Sequence, residues 1–184
     1  MRLISGTIRS TQKEWLPVLS NIAPPALRRL KALATLLQKV QANKDLPINL
    51  DLTNPPRLRL FSRLPAWRNS PPVDFDLLES WRESWRDCAV SNKALVNDPV
   101  ARVPGFELPR SQWALLNRFR TDAGPCRHSL HRWGARESPL CDCRAAQTMR
   151  HIVEDCPATA LHGGLKELHS ASRDAAIWMK NFDF

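Results

Sequence analysis

Several features common in globular proteins are missing from this chain of 184 residues, which has no tyrosine and only six glycines beside 15 prolines. It lacks any run of about 20 consecutive apolar residues, which excludes a membrane-spanning helix. The opening residues lack an apolar core followed by small residues, so we expect no secretory signal. Five cysteines form no evident disulfide framework. They indicate a reducing compartment, so the predicted location is intracellular, in the nucleus or cytoplasm, with no membrane partner.

The motifs that mark common catalytic sites are also absent. The sequence contains no HExxH, GxxxxGKS/T, GxSxG or GxGxxG. The run from Gly163 to Lys166 is too short for a phosphate-binding loop. No neighbouring aspartates follow a strand, as a two-metal polymerase centre would require. Because these motifs are missing, the residues that the chain contains do not predict an enzyme.

The positive charge is concentrated near the start of the chain. Lys and Arg number 27 against 18 Asp and Glu, a net charge of +9. Residues 1–70 hold 12 basic and three acidic side chains, an excess equal to the whole net charge. Such a face attracts polyanions, among which nucleic acid is the usual one. The alternative is a solvated face that only keeps the chain soluble.

Apolar spacing predicts a mainly α fold, built from one or more small helical bundles. Convincing strand alternation is missing, apart from a short stretch at 49–52. A first helix follows Pro24 and Pro25, where proline suits the first helical turn. Its leucine stripe is expected in the core, and its basic side is a candidate phosphate-facing surface. The predicted helices cover about 25–42, 74–90, 110–121, 148–156 and 164–182. On the second of these, Trp81 and Trp85 are interpreted as packing anchors and Cys88 as a buried thiol.

Proline content divides the chain into three segments. Six prolines between 47 and 72 disfavour helix and predict an extended connector. We therefore expect a basic helical segment at 1–46, the connector at 47–72 and a helical domain at 73–184.

The chemistry-bearing residues lie between 141 and 156. Cys141, Cys143, His151 and Cys156 supply three thiolates and one imidazole, a complete tetrahedral shell for Zn²⁺. Because the protein would supply all four ligands, the site is predicted to hold one structural zinc without an open catalytic position. The single residue between the first two cysteines is shorter than the usual gap of two. An accidental grouping of cysteines is the alternative interpretation.

A second group of metal-binding residue types lies just upstream, at Cys126, His128 and His131. No fourth ligand is obvious for it, so a core thiol and surface histidines are expected. One of these residues is an alternative ligand if Cys143 fails to reach the metal.

Several runs together resemble one family. They are 108–121 (LPRSQWALLNRFRT), 124–134 (GPCRHSLHRWG), 138–143 (SPLCDC) and 148–157 (TMRHIVEDCP). The chain resembles the C-terminal region of non-LTR (LINE-type) retrotransposon reverse transcriptases, which are RNA-directed DNA polymerases. Residues 4–11 and 15–25 are similar to the family's thumb. Residues 163–169, together with Trp178, are similar to the end of the family's polyproteins.

This resemblance implies a fragment with thumb, connector and CCHC zinc knuckle, but without the catalytic palm. The family usually has glycine where this chain has Arg144, and a ligand turn with positive φ strains arginine. The resemblance implies that the chain binds single-stranded or structured RNA or DNA. It also implies a second copy of the chain, or the remaining polymerase domains, as protein partners. The expected nucleic-acid contacts are Arg28, Arg29, Lys31, Arg57, Arg59, Arg63, Arg144 and Arg150. The alternative is a zinc-stabilised protein-interaction domain of a domesticated or decayed element, in which Trp81, Trp85 and Trp113 bury a partner helix.

Overall fold

The computed structural model describes residues 1–54, 71–72 and 74–182, and these form a mainly helical protein. Within these ranges the only β-type pairing is an isolated antiparallel bridge between Leu140 and Ala146. The mainly α class predicted from the sequence is therefore confirmed. None of the described helices is long and apolar enough to cross a membrane. The α-helices are α1 (Arg2–Ser5), α2 (Trp15–Ser20), α3 (Pro25–Ala42), α4 (Ile48–Thr53), α5 (Leu77–Asp87), α6 (Arg110–Arg120), α7 (Arg127–Arg132), α8 (Gly164–Ser170) and α9 (Arg173–Asn181).

The chain forms two compact units, which differ from the three segments expected from its prolines. The first combines Met1–Ile22 with Asp87–Phe184, and the second is Ala23–Arg86. The described part of the expected connector contains α4, so residues 49–52, the one stretch with strand-like alternation, are helical. Asn49 stabilises this arrangement by donating side-chain hydrogen bonds to the carbonyls of Val40 and Asn43. The rest of the connector, at 55–70, lies outside the described residues.

The second unit contains α3 and most of α5. Helix α3 begins at Pro25, as predicted, and its leucine stripe is half-buried while Leu36 is exposed. Helix α5 begins after Asp76, whose carboxylate accepts hydrogen bonds from the backbone N–H groups of Glu79 and Leu78. These bonds lower the pKa of Asp76, because they stabilise its charged form.

The tryptophans of α5 and α6 are buried. Trp81, Trp85 and Trp113 keep only 4%, 3% and 5% of their surface exposed. They are packing residues, as expected for Trp81 and Trp85, and they leave little surface with which to meet a partner helix. The predicted burial of Cys88 is also wrong, since it follows the end of α5 and is half-buried.

Helix α6 organises the first unit. The core around it combines Leu115, Leu116 and Phe119 of α6 with residues from the segments that follow, which are Cys126, Met149, Ile152, Val153, Leu165, Leu168, Ala175 and Met179. On another side, α6 holds the N-terminal turn, since Asn117 donates to the carbonyl of Ser5 and the Trp113 indole to that of Ile4. Residues from the two ends of the chain thus pack on one helix.

The last predicted helix is two helices. Helix α8 ends at Ser170, because the following Ala171 has a left-handed φ of 55°. The Ser172 hydroxyl then accepts the backbone N–H of Ala175 and caps α9. Leu168 of α8 and Met179 of α9 are both buried in the core, so the break lets two short helices pack where one straight helix would diverge.

Arg120 is a fully buried cation without a carboxylate among its described partners. Its guanidinium donates to the Pro104 carbonyl (2.6 Å), the Asn117 side-chain oxygen (3.1 Å), and the Nδ1 (3.0 Å) and carbonyl (2.9 Å) of His169. Burial lowers the pKa of Arg120 to about 9, so the side chain stays charged at neutral pH. Burial, with the Arg120 charge, lowers the pKa of His169 to about 4 and keeps its ring neutral.

We predict that Arg120→Ala destabilises the first unit by about 3 kcal/mol or more, because it leaves several buried acceptors unpaired. Urea unfolding of the full chain measures this loss. Arg136→Ala, which removes an exposed arginine, is the control and should change stability by less than about 0.5 kcal/mol. Equal stability of the two variants would contradict the structural role of Arg120.

Candidate metal centre

Cys141 and Cys143 lie on a tight turn closed by backbone hydrogen bonds. The Cys141 N–H donates to the Ala145 carbonyl (2.8 Å), and the Arg144 N–H donates to the Cys141 carbonyl (2.9 Å). The Leu140–Ala146 bridge closes the turn at its base. One residue between the cysteines is enough for this geometry, because the turn directs both thiols to the same side.

Arg144 has the left-handed backbone that the turn requires, with φ of 70°. This conformation costs a residue with a Cβ about 1–2 kcal/mol, whereas glycine adopts it freely. The strain expected from the sequence at Arg144 is therefore confirmed. Its side chain is exposed, so nothing in the core requires arginine there.

His151 and Cys156 come from the two ends of a π-helical turn, His151–Asp155, rather than from an α-helix. The Cys156 N–H donates to the His151 carbonyl over 2.8 Å, a bond between residues five apart. In an α-helix of 3.6 residues per turn, residues five apart would diverge by about 140° around the axis. The wider π turn, of a kind frequent at functional sites, brings both side chains to one side.

The hydrophobic core fixes this turn in place. Met149, Ile152 and Val153 are each at least 97% buried in the core that α6 forms. The Thr148 hydroxyl also accepts the His151 N–H at 3.0 Å. The ligand-bearing turn is thus positioned by packing and does not depend on a metal alone.

The four predicted ligands converge. Their ligand atoms all lie within 4.8 Å of one another, and three of the four residues are buried. The Sγ atoms of Cys141 and Cys156 are 3.8 Å apart, and Sγ of Cys143 is 3.2 Å from Nε2 of His151. Tetrahedral zinc with ordinary bond lengths would separate its ligands by about 3.5–3.8 Å. The cluster can hold one metal ion and is compatible with zinc.

The surrounding groups shift the pKa values of Cys156 and Cys143 in opposite directions. Burial disfavours the charge of Cys156, but hydrogen bonds from the Thr159 hydroxyl and from the backbone of Ala158 and Thr159 lower its pKa to about 6. For Cys143, the backbone N–H of Ala145 favours the thiolate. Burial and the neighbouring cysteines outweigh it and raise the pKa of Cys143. Several thiolates this close repel one another unless a cation lies between them.

Gln147 and Arg127 tie the cysteine turn to α7. Arg127 makes a two-point ion pair with Asp142, at 2.7 and 3.1 Å, and also donates to the Leu140 carbonyl. The Gln147 side chain accepts the Arg127 N–H and donates to Sγ of Cys141 at 3.8 Å. Sequence analysis did not single out these residues, because partners 15 and 20 positions apart leave no periodic signal.

The upstream group does not join the cluster. Cys126 is buried in the core with its thiol against the Ser129 hydroxyl, and His128 and His131 are exposed. The expected core thiol and surface histidines are confirmed, and no substitute for Cys143 is needed.

The predicted nucleic-acid contacts lie in different places. Arg28, Arg29 and Lys31 are exposed on α3, in the second unit. Arg150 is exposed but ion-paired with Glu154 at 2.7 Å, which partly neutralises it. Arg144 is exposed on the cysteine turn. The remaining three, Arg57, Arg59 and Arg63, lie outside the described residues.

A cationic pocket that sequence analysis missed lies between α6 and α9. It has a volume of about 440 Å³, and its lining includes Ser111, Gln112, Arg118 and Lys180. No carboxylate lines it within the described ranges. The Nε of Arg118 is buried and has no hydrogen-bond partner among the described residues. Only folding brings these two cations together, since they are 62 positions apart.

Searches of protein-family models, curated proteins and solved structures find no match to this chain.

We predict that Arg144→Gly stabilises the protein by about 1 kcal/mol, because glycine removes the strain of the positive φ. Thermal unfolding should show a higher Tm. Ala146→Gly, in the same turn but without a positive φ, is the control and should not stabilise. A lower Tm for Arg144→Gly would show that the arginine side chain itself stabilises the turn.

Proposed function

We propose that the cluster of Cys141, Cys143, His151 and Cys156 binds one structural zinc ion. Three thiolates and one imidazole suit a borderline-soft ion that accepts tetrahedral geometry. The four protein ligands leave no position for a reactive water, so the ion would stabilise the fold and would not hydrolyse a substrate. The support for this proposal is the convergence of all four ligand atoms within 4.8 Å.

We predict one zinc per chain in protein purified without added metal, measured by elemental analysis. His151→Ala should lose the ion and unfold the core around it, because metal binding of this kind contributes on the order of 10 kcal/mol. His131→Ala, at an exposed histidine outside the cluster, should keep both. Cobalt substitution should give thiolate-to-cobalt absorption in the wild type.

A folded wild-type chain that contains no zinc and takes up no cobalt would contradict this proposal. A metal retained by His151→Ala in equal amount would contradict the assignment of the histidine.

We further propose that the chain binds RNA or DNA as the C-terminal segment of a reverse transcriptase, without catalysing polymerisation itself. The carrying observation is the pocket that Arg118 and Lys180 line without a carboxylate among the described lining residues. Two cations that share a pocket without a neighbouring carboxylate attract an anion, and a phosphate group would pair with them. The motif resemblance supplies the class of ligand.

We predict that affinity for single-stranded RNA falls steeply as salt rises, because each phosphate contact releases counterions. Arg118→Gln with Lys180→Gln should weaken binding and reduce the log–log salt slope by about 1.4, the value for two contacts on a single strand. Fluorescence anisotropy across a salt series measures both quantities.

The control for loss of one charge is Lys166→Gln, at an exposed lysine of α8 outside the pocket. It should change the salt slope less than the double variant does. Binding by the wild type that does not depend on salt would contradict nucleic-acid recognition. Nucleotide incorporation by the isolated chain would contradict the non-catalytic part of the proposal.

A further inference from the structure

Trp133 differs from the other tryptophans that the structure describes in being open to solvent. It is 46% exposed and directly follows α7. Three other tryptophans donate their indole N–H to backbone carbonyls: Trp15 to Ser91, Trp113 to Ile4 and Trp178 to Thr159. Trp133 has no such acceptor among the described residues. Its large apolar ring therefore contributes little to the core.

The ring lines an open pocket of about 460 Å³. Its other described lining residues are Ile8, Arg9 and Ser10 of the N-terminal segment, and all four residues belong to the first compact unit. Ile8 is half-buried and Arg9 is exposed. The pocket thus offers an aromatic face, an aliphatic side chain, a hydroxyl and one cation, with no carboxylate among the described lining residues.

The backbone around Trp133 is held rigidly. The Ala135 N–H donates to the Leu130 carbonyl (2.8 Å) and the Gly134 N–H to the His131 carbonyl (2.9 Å), the two bonds of a Schellman motif. Gly134 has the φ of 74° that this motif requires. Because these bonds fix the backbone that carries the ring, binding of a ligand would have to order less of the chain.

We propose that Trp133 stacks an unpaired nucleobase in this pocket while Arg9 contacts an adjacent phosphate. An exposed indole face beside a guanidinium matches the two parts of a nucleotide, and base stacking on an aromatic ring tolerates any sequence. Duplex nucleic acid keeps its bases inside the stack, so the pocket favours single strands. This inference rests on the proposed nucleic-acid binding and adds where the base is held.

The test compares two probes with the same backbone charge, a short oligothymidylate and its abasic counterpart, by fluorescence anisotropy with the full chain. The wild type should bind oligothymidylate about tenfold more tightly, the order expected for one stacked base. Trp133→Ala should lose this preference and bind both probes as the wild type binds the abasic one. Trp133→Phe should retain part of it.

Arg9→Gln should weaken binding of both probes, because both carry phosphates. Ile177→Ala, which removes a different exposed apolar side chain (48% exposed), is the control and should keep the wild-type preference. Equal binding of both probes by the wild type would overturn the stacking role and leave phosphate binding intact. Failure of the wild type to bind either probe would overturn the proposed function and this inference together.

Discussion

The burial of the Arg120 guanidinium is the constraint on which the first unit depends. A charge taken out of water must meet acceptors in fixed positions, and here they come from three separate parts of the chain: the Pro104 carbonyl, Asn117 on the same helix, and His169 at the end of α8. Asn117 in turn donates to Ser5 in the N-terminal turn. Hydrogen bonding at one helix thus fixes the position of segments that hydrophobic contact alone would leave free to slide.

The candidate metal centre is built on the same helix. The side of α6 that carries Leu115, Leu116 and Phe119 packs in one core with Met149, Ile152 and Val153, which bracket His151. The ligand turn is therefore positioned by the core, and a bound ion would in turn connect it to the cysteine turn. Arg127 and Gln147 add a second connection through α7. This mutual support explains how a turn with a strained Arg144 is retained.

The features that could be predicted from the sequence are those that depend only on residues close together in the chain. Apolar spacing predicted α3 and α6 within one or two residues, and cysteine and histidine spacing predicted the four clustered ligands, since both patterns are complete within short windows. Local sequence rules failed where distant partners decide the outcome. Ala171 carries no sequence signal for a left-handed break, and the short α4 forms despite neighbouring prolines. The burial of Arg120 has no local signal, because its acceptors lie up to 49 positions away.

Arg118 and Arg120 show that the surroundings of a cation say more about its role than a charge count does. Both side chains lie on α6, two residues apart, and no local sequence pattern distinguishes them. The protein supplies oxygen and nitrogen acceptors to Arg120 from its own chain, so that cation serves the fold. Among the described residues it supplies none to the buried Nε of Arg118, whose side chain lines a pocket with Lys180. An anion bound in that pocket would meet both cations. The difference lies in the environment of each side chain, which only the folded chain reveals.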